Sequence, residues 1–220
     1  VNRYDEAFPI WRQAFNLAPA SNGRVKYQFD DGVKLYKYLF DKTTDPGLKK
    51  LYVDSIYMLY DKRAYCFGDE VFVNGLKAFD GYYYYSAYFD TMTVYKWFTA
   101  HIDSKGIQSE YFVVNPFAKM LYDGVTSGSI PKKEGLHYAK MVDQIVAHGV
   151  ATCKDKQCET WDIIKGYAPV QLELLEGVED FYDCEYYTNK YMPLFKSYPD
   201  SCEIINTAFG RLTQGGCNPK

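Results

Sequence analysis

The sequence predicts an all-α protein: a right-handed superhelical solenoid of antiparallel helix pairs, about ten helices in one domain over residues 1–220. Three observations carry that expectation. Apolar residues recur at spacings of three and four along most of the chain. Gly, Pro, Ser or Asp punctuates these segments at short intervals. No segment shows a sustained apolar–polar alternation; Tyr82–Tyr85 could pass for a strand alone, but it sits inside a helix-rich series.

The elements follow in order. "YDEAFPIWRQAFNLAP" (Tyr4 to Pro19) sets Ala7 and Ala14 among the aromatics Tyr4, Phe8, Trp11 and Phe15, and Pro19 stops it. In "VKYQFDDGVKLYKYLFDK", Val25, Phe29, Val33, Tyr36 and Phe40 form an amphipathic stripe. "TTDPGLKKLYVDSIYMLYDKRAYCFG" carries a start signal, Asp45 then Pro46, and a stop at Gly68, with Leu51, Ile56, Leu59 and Tyr60 expected on one face. Seven more segments follow, from "DEVFVNGLKAFDGYYYY" to "SCEIINTAFGRLTQGG", joined by short loops. First helices of successive pairs are expected near residues 23, 70, 109, 159 and 202. "FVNGLKAF", "VVNPFAKMLYDG" and "IINTAFGRLTQGG" share an Asn after paired apolar residues, and the last two reach Gly124 and Gly215 nine positions later.

Composition narrows the function classes. Net charge is −3, so no global basic field is available to hold nucleic acid. No apolar run is long enough to span a membrane. Aromatics reach 18%, with 23 Tyr and 14 Phe, and tyrosine can either staple helices together or line an interface. No G-x-x-x-x-G-K-[ST], G-x-S-x-G, H-E-x-x-H or G-x-G-x-x-G occurs, so no catalytic residue or cofactor site is expected; "GVTSGSIPKKEG" is not a phosphate loop. The carboxylates of "ELLEGVED" (Glu173, Glu176, Glu179, Asp180) read as a solvated helix end, and His101 and His137 as helix-surface residues. His148, Cys153 and Cys158 are suggestive, but C-x4-C without a second ligand pair does not predict zinc.

Six cysteines, five of them in the last 68 residues, point to disulfides and an oxidising compartment. If the segments near 159–177 and 180–196 are antiparallel neighbours, Cys158 falls beside Cys202. The same folding-back places Cys184 near Cys217. A local Cys153–Cys158 bridge and buried free thiols are the alternatives.

The opening stretch resembles the second helix of a tetratricopeptide repeat, matching at Tyr4, Asp5, Glu6, Ala7, Trp11, Ala14 and Pro19 and departing at Pro9. "IINTAFGRLTQGG" resembles the first helix, through Asn206, Ala208 and Gly215. The chain's style is also similar to tetratricopeptide-type proteins exported to the periplasm by Bacteroidetes. The resemblance implies that Ala7 and Ala14 admit a neighbouring helix, that this helix lies before Val1, and that the chain begins mid-repeat. It further implies a concave face lined by Phe29, Val33, Tyr36, Val73, Lys77, Tyr111, Val114, Leu121 and Tyr122, suited to a peptide or protein partner. The expected function is therefore a non-enzymatic scaffold for protein or peptide binding. The alternatives are a small-ligand or glycan module using its tyrosines, and an all-helical enzyme.

Overall fold

In this computed structural model, which describes residues 3–20, 23 and 25–217, ten α-helices and no strand occur among the described residues. The helices are α1 (Tyr4–Leu17), α2 (Tyr27–Lys42), α3 (Pro46–Phe67), α4 (Glu70–Tyr83), α5 (Thr91–Lys105), α6 (Tyr111–Ser127), α7 (Lys132–Thr152), α8 (Lys156–Glu173), α9 (Cys184–Ser197) and α10 (Cys202–Gln214). Short 3-10 turns cover Gly106–Gln108 and Leu174–Gly177. The chain divides into two compact units, 1–116 and 117–220, with the boundary inside α6.

Local chemistry sets the helix ends. The Asp45 side chain accepts from the Leu48 amide at 2.9 Å, Pro46 occupies the first turn, and Gly68 closes α3 at φ 64°. Asp90, Asp183 and Ser201 cap α5, α9 and α10 in the same way. Each polar cap satisfies an amide that the first turn leaves without a helical partner.

In the first unit each helix from α1 to α5 packs on the next. The core gathers Phe15, Phe29, Val33, Ile56, Leu59, Val73 and Tyr85. Ile56, Leu59 and Tyr60 are buried as expected, whereas Leu51 is 56% exposed. Five residues advance a helix by about 140° beyond a full turn, which takes Leu51 off the face of Ile56. Ala7 and Ala14 are exposed as well, and the buried side of α1 is aromatic. The small residue at this contact belongs to α2. A Cβ on Gly32 would lie 2.2 Å from the Trp11 ring, and Trp11 Nε1 donates to the Gln28 carbonyl at 2.7 Å.

Charged side chains tie this unit together. Buried Arg63 bonds Asp30 and Asp69, linking α2, α3 and the start of α4. Buried Asp80 accepts from the Tyr60 hydroxyl and from Lys37, both at 2.7 Å. His101 is fully buried, contrary to the surface position expected of it. Its Nδ1 lies 2.8 Å from the Val71 carbonyl, which can only accept, so Nδ1 carries the hydrogen; burial lowers the imidazole pKa.

In the second unit α7 packs on α8 and α9 on α10. A Cβ on Gly149 would meet the Trp161 ring at 2.4 Å, so α7 approaches α8 at a point where only hydrogen fits. Between α8 and α9 the chain passes through the 3-10 turn and a loop in which Asp180 takes a positive φ of 54°. This segment separates two helices that the sequence suggests are a hairpin.

The Gly149 contact supplies a test. Gly149→Ala is expected to destabilise the protein by about 1–3 kcal/mol through overpacking. Gly166→Ala, on an exposed part of α8 with nothing within 4 Å of its added carbon, is expected to stabilise by about 0.5–1 kcal/mol. Urea unfolding of both variants checks the pair.

Candidate binding surfaces in the second unit

The residues expected on a concave face differ in exposure. Phe29, Val33, Val73, Val114 and Leu121 are buried, between 0% and 7% exposed, and so cannot present a groove. Their positions on a helical stripe are the positions that neighbouring helices cover. Tyr36 is half-buried among the rings of Phe8, Trp11 and Tyr52. Val73 and Lys77 border a cavity of about 350 Å³ between α3 and α4, but Lys77 is already paired with Asp61. Tyr111 is exposed and Tyr122 half-buried, with the Lys119 ammonium over the Tyr122 ring.

The cystines are Cys184–Cys217 and Cys153–Cys158, while Cys66 and Cys202 are free and exposed. The expected Cys158–Cys202 pair is thus replaced by the local bridge. That expectation took α8 and α9 as antiparallel neighbours. With α7 against α8, the start of α8 meets the end of α7, which brings Cys158 to Cys153. Both sulfurs of the His148 trio are thereby oxidised. Among the described residues no group of three or more His, Cys, Asp or Glu side chains is placed to hold a metal ion.

Two cavities open in the second unit. The first, of about 540 Å³, is walled by Lys140 and Asp143 of α7, Pro169, Leu172 and Glu173 of α8, Tyr182 and Asp183 of the loop, and Glu185, Tyr186, Asn189 and Lys190 of α9. Behind it lies Glu176, which the sequence reading placed on a solvated helix end; it is 4% exposed. Its carboxylate accepts from Lys190 and the Tyr191 hydroxyl at 2.7 Å and from the Tyr186 hydroxyl at 3.0 Å, and Arg211 Nε lies 3.2 Å away. Its carbonyl accepts from Arg211 and Gln214. Burial alone would raise the Glu176 carboxyl, but the bonds from Lys190, Tyr191 and Tyr186 outweigh it and hold the pKa below the ordinary value. Burial opposes the Lys190 charge too, and its bonds to Glu176 and Glu173 overcome that and raise its pKa. Tyr182 and Tyr186 stack with centroids 3.7 Å apart, and burial pushes both phenols well up.

The second cavity, of about 510 Å³, is an apolar groove between α9 and α10. Met192, Phe195, Ile205, Ala208, Phe209 and Leu212 line it, and the Cys184–Cys217 bridge lies at its edge. Phe209 is 65% exposed. Its apolar residues are legible as hydrophobic in the sequence; nothing there marks them as uncovered.

Glu176→Ala is expected to cost roughly 2–4 kcal/mol, below the usual range for a broken buried pair because Lys190 and Arg211 stay partly exposed. Since the folded carboxyl titrates below its unfolded value, its stabilisation is present at neutral pH and is lost as pH falls through the folded pKa. Glu176→Gln is therefore expected to flatten the acid limb of stability against pH. For the cystines, serine replacement of Cys184 and Cys217, 33 residues apart, is expected to cost about 4 kcal/mol in the chain-entropy account. The same change at Cys153 and Cys158, five apart, is expected to cost about 2 kcal/mol. Chemical denaturation under oxidising conditions measures each difference.

Comparison of the chain with protein-family models, with curated proteins and with solved structures gives no match.

Proposed function

We propose that this chain is a non-enzymatic helical scaffold that binds a protein or peptide, and that the groove between α9 and α10 is its recognition surface. One observation carries this. An open apolar groove of about 510 Å³ keeps Phe195, Ile205 and Phe209 exposed on two helices that are cross-linked by Cys184–Cys217. Apolar side chains left in water are a standing cost that a partner's apolar face relieves, and a groove fixed in advance loses little entropy on binding. Such a surface suits an amphipathic helix presenting anchors three and four residues apart.

The tetratricopeptide resemblance of the opening stretch supports the scaffold reading through its kind of architecture, although five of the nine residues expected on a concave face are buried. The two cystines favour an oxidising, exported compartment, and a bacterial periplasm fits the similarity drawn from the sequence. No described helix is long and apolar enough to cross a membrane.

Panning a random peptide display library on the oxidised protein tests the reading. Enrichment of amphipathic sequences whose binding drops at least about tenfold against Phe209→Asp is the expected outcome. Absence of enrichment, or enriched peptides indifferent to that substitution, rejects it.

A further inference from the structure

The polar cleft between α7, α8 and α9 is a different surface from the α9–α10 groove, and its chemistry points to a different ligand. Its walls hold four carboxylates, Asp143, Glu173, Asp183 and Glu185, against two ammonium groups, Lys140 and Lys190. Several of these are already engaged. Lys190 is bonded to Glu176 and lies 3.1 Å from Glu173. Asp183 caps α9 through the Tyr186 amide. Asp143 has neither a hydrogen bond nor an ion pair among the described residues. It opens to solvent at the mouth, yet the cleft wall strips part of its hydration, which pushes its carboxyl up to about 6, and Glu173 adds to the shift.

We propose that this cleft binds a primary alkylammonium group, seated between Asp143 and Glu173. The cleft already solvates one such group. The Lys190 ammonium sits 2.7 Å from Glu176 and 3.1 Å from Glu173, 5.7 Å from the Tyr186 ring centroid and 5.4 Å from that of Tyr191. A second ammonium beside Asp143 would meet a carboxylate that the Lys190 charge reaches only through space, without a hydrogen bond or ion pair. The neighbouring Leu172, Pro169 and stacked tyrosine rings form an apolar wall, which calls for an alkyl stem or sugar ring behind the charge. A bare metal ion fits poorly, because no group of three or more ligating side chains gathers among the described residues. Lys140, one turn from Asp143 and exposed, is placed to meet an acceptor on the ligand's body.

Two sources offer this chemistry: a lysine side chain and an amino sugar. Calorimetric titration with Nα-acetyl-lysine amide and with glucosamine separates them, and Nα,Nε-diacetyl-lysine amide and N-acetylglucosamine serve as controls without an ammonium group. One or both ammonium probes are expected to bind at concentrations up to about 10 mM while their acetylated forms do not. A lysine-only response assigns the site to a polypeptide and a glucosamine-only response to a glycan. Asp143→Asn should weaken binding at least about tenfold. Because Asp143 is exposed, without a bonded partner and repelled by Glu173, that variant should unfold at a denaturant concentration no lower than the parent's. Glu173→Gln should weaken binding in the same direction. For the lysine probe, whose ammonium stays charged throughout, affinity should fall between about pH 7.5 and about pH 5 as Asp143 takes up a proton. The groups facing it there are Lys140 on its own helix, Glu173 from α8, Tyr182 from the loop, and Tyr186 and Lys190 from α9. Equal binding of acetylated and free probes, no loss in a folded Asp143→Asn protein, or no binding by either ammonium probe overturns the proposal. None of these outcomes touches the α9–α10 groove, whose peptide test stands or falls by itself.

Discussion

A tyrosine hydroxyl cut off from water needs an acceptor, and several of this chain's long-range hydrogen bonds supply one. Tyr57 donates to the Lys77 carbonyl, Tyr60 to Asp80, Tyr182 to the Leu172 carbonyl, and Tyr186 and Tyr191 to Glu176. Each bond crosses from one element to another, so each ring that fills space also registers two segments. Leaving such a hydroxyl unpaired costs about 1–3 kcal/mol, more than a typical satisfied bond contributes. The buried carboxylates follow from this. Asp80 and Glu176 could not stay charged inside a helix stack without donors, and tyrosine together with lysine provides them. The high tyrosine content is thus first a packing solution. Where rings do reach a cavity, as Tyr186 does, they are held from behind by the same network.

The helical class and most boundaries were legible in the sequence because they depend on local chemistry. Asp45, Pro46 and Gly68 mark α3 at both ends through bonds made within a few residues of one another. Amphipathic spacing likewise identifies which residues are buried, and Phe29, Val33 and Val73 are. It does not identify what buries them. A residue on an inner face and a residue on a binding face carry the same periodic signal, and the difference lies in whether another helix covers it. The assignment of these residues to a groove failed for that reason. The opposite error occurred at Glu176 and His101, whose polarity suggested solvent. Their partners come from positions far along the chain: Lys190, Tyr191 and Arg211 for the one, Val71 for the other.

The cysteines show the same division. Cys184 and Cys217 meet because α9 and α10 are antiparallel and consecutive, a geometry that segment lengths anticipate. Cys158 was misassigned because pairing α8 with α9 required a tight connection there. The chain instead spends residues 174–183 on a 3-10 turn and a loop that carries Glu176 inward. That loop has no periodicity to read, and it builds the candidate cleft. This irregular segment of the second unit therefore determines both its helix pairing and one wall of its polar cleft.

The satisfied network also explains why one carboxylate stands apart. Glu176 is surrounded by donors, and its charge is held by them at all but acidic pH. Asp143 lies on the far wall of the same cleft with no bonded donor; loss of hydration at the cleft wall, and then the Glu173 charge, push it toward neutrality against the pull of Lys190. Asp143 is exposed rather than buried, and no donor bonds it. For a purely structural residue such an arrangement is a small net cost, since an asparagine would fill the same space without the repulsion from Glu173. The cost is removed only when something positive arrives from solution. Electrostatic incompleteness in a preformed cavity is therefore the feature that distinguishes this candidate cleft from a packing wall lined by the same residue types.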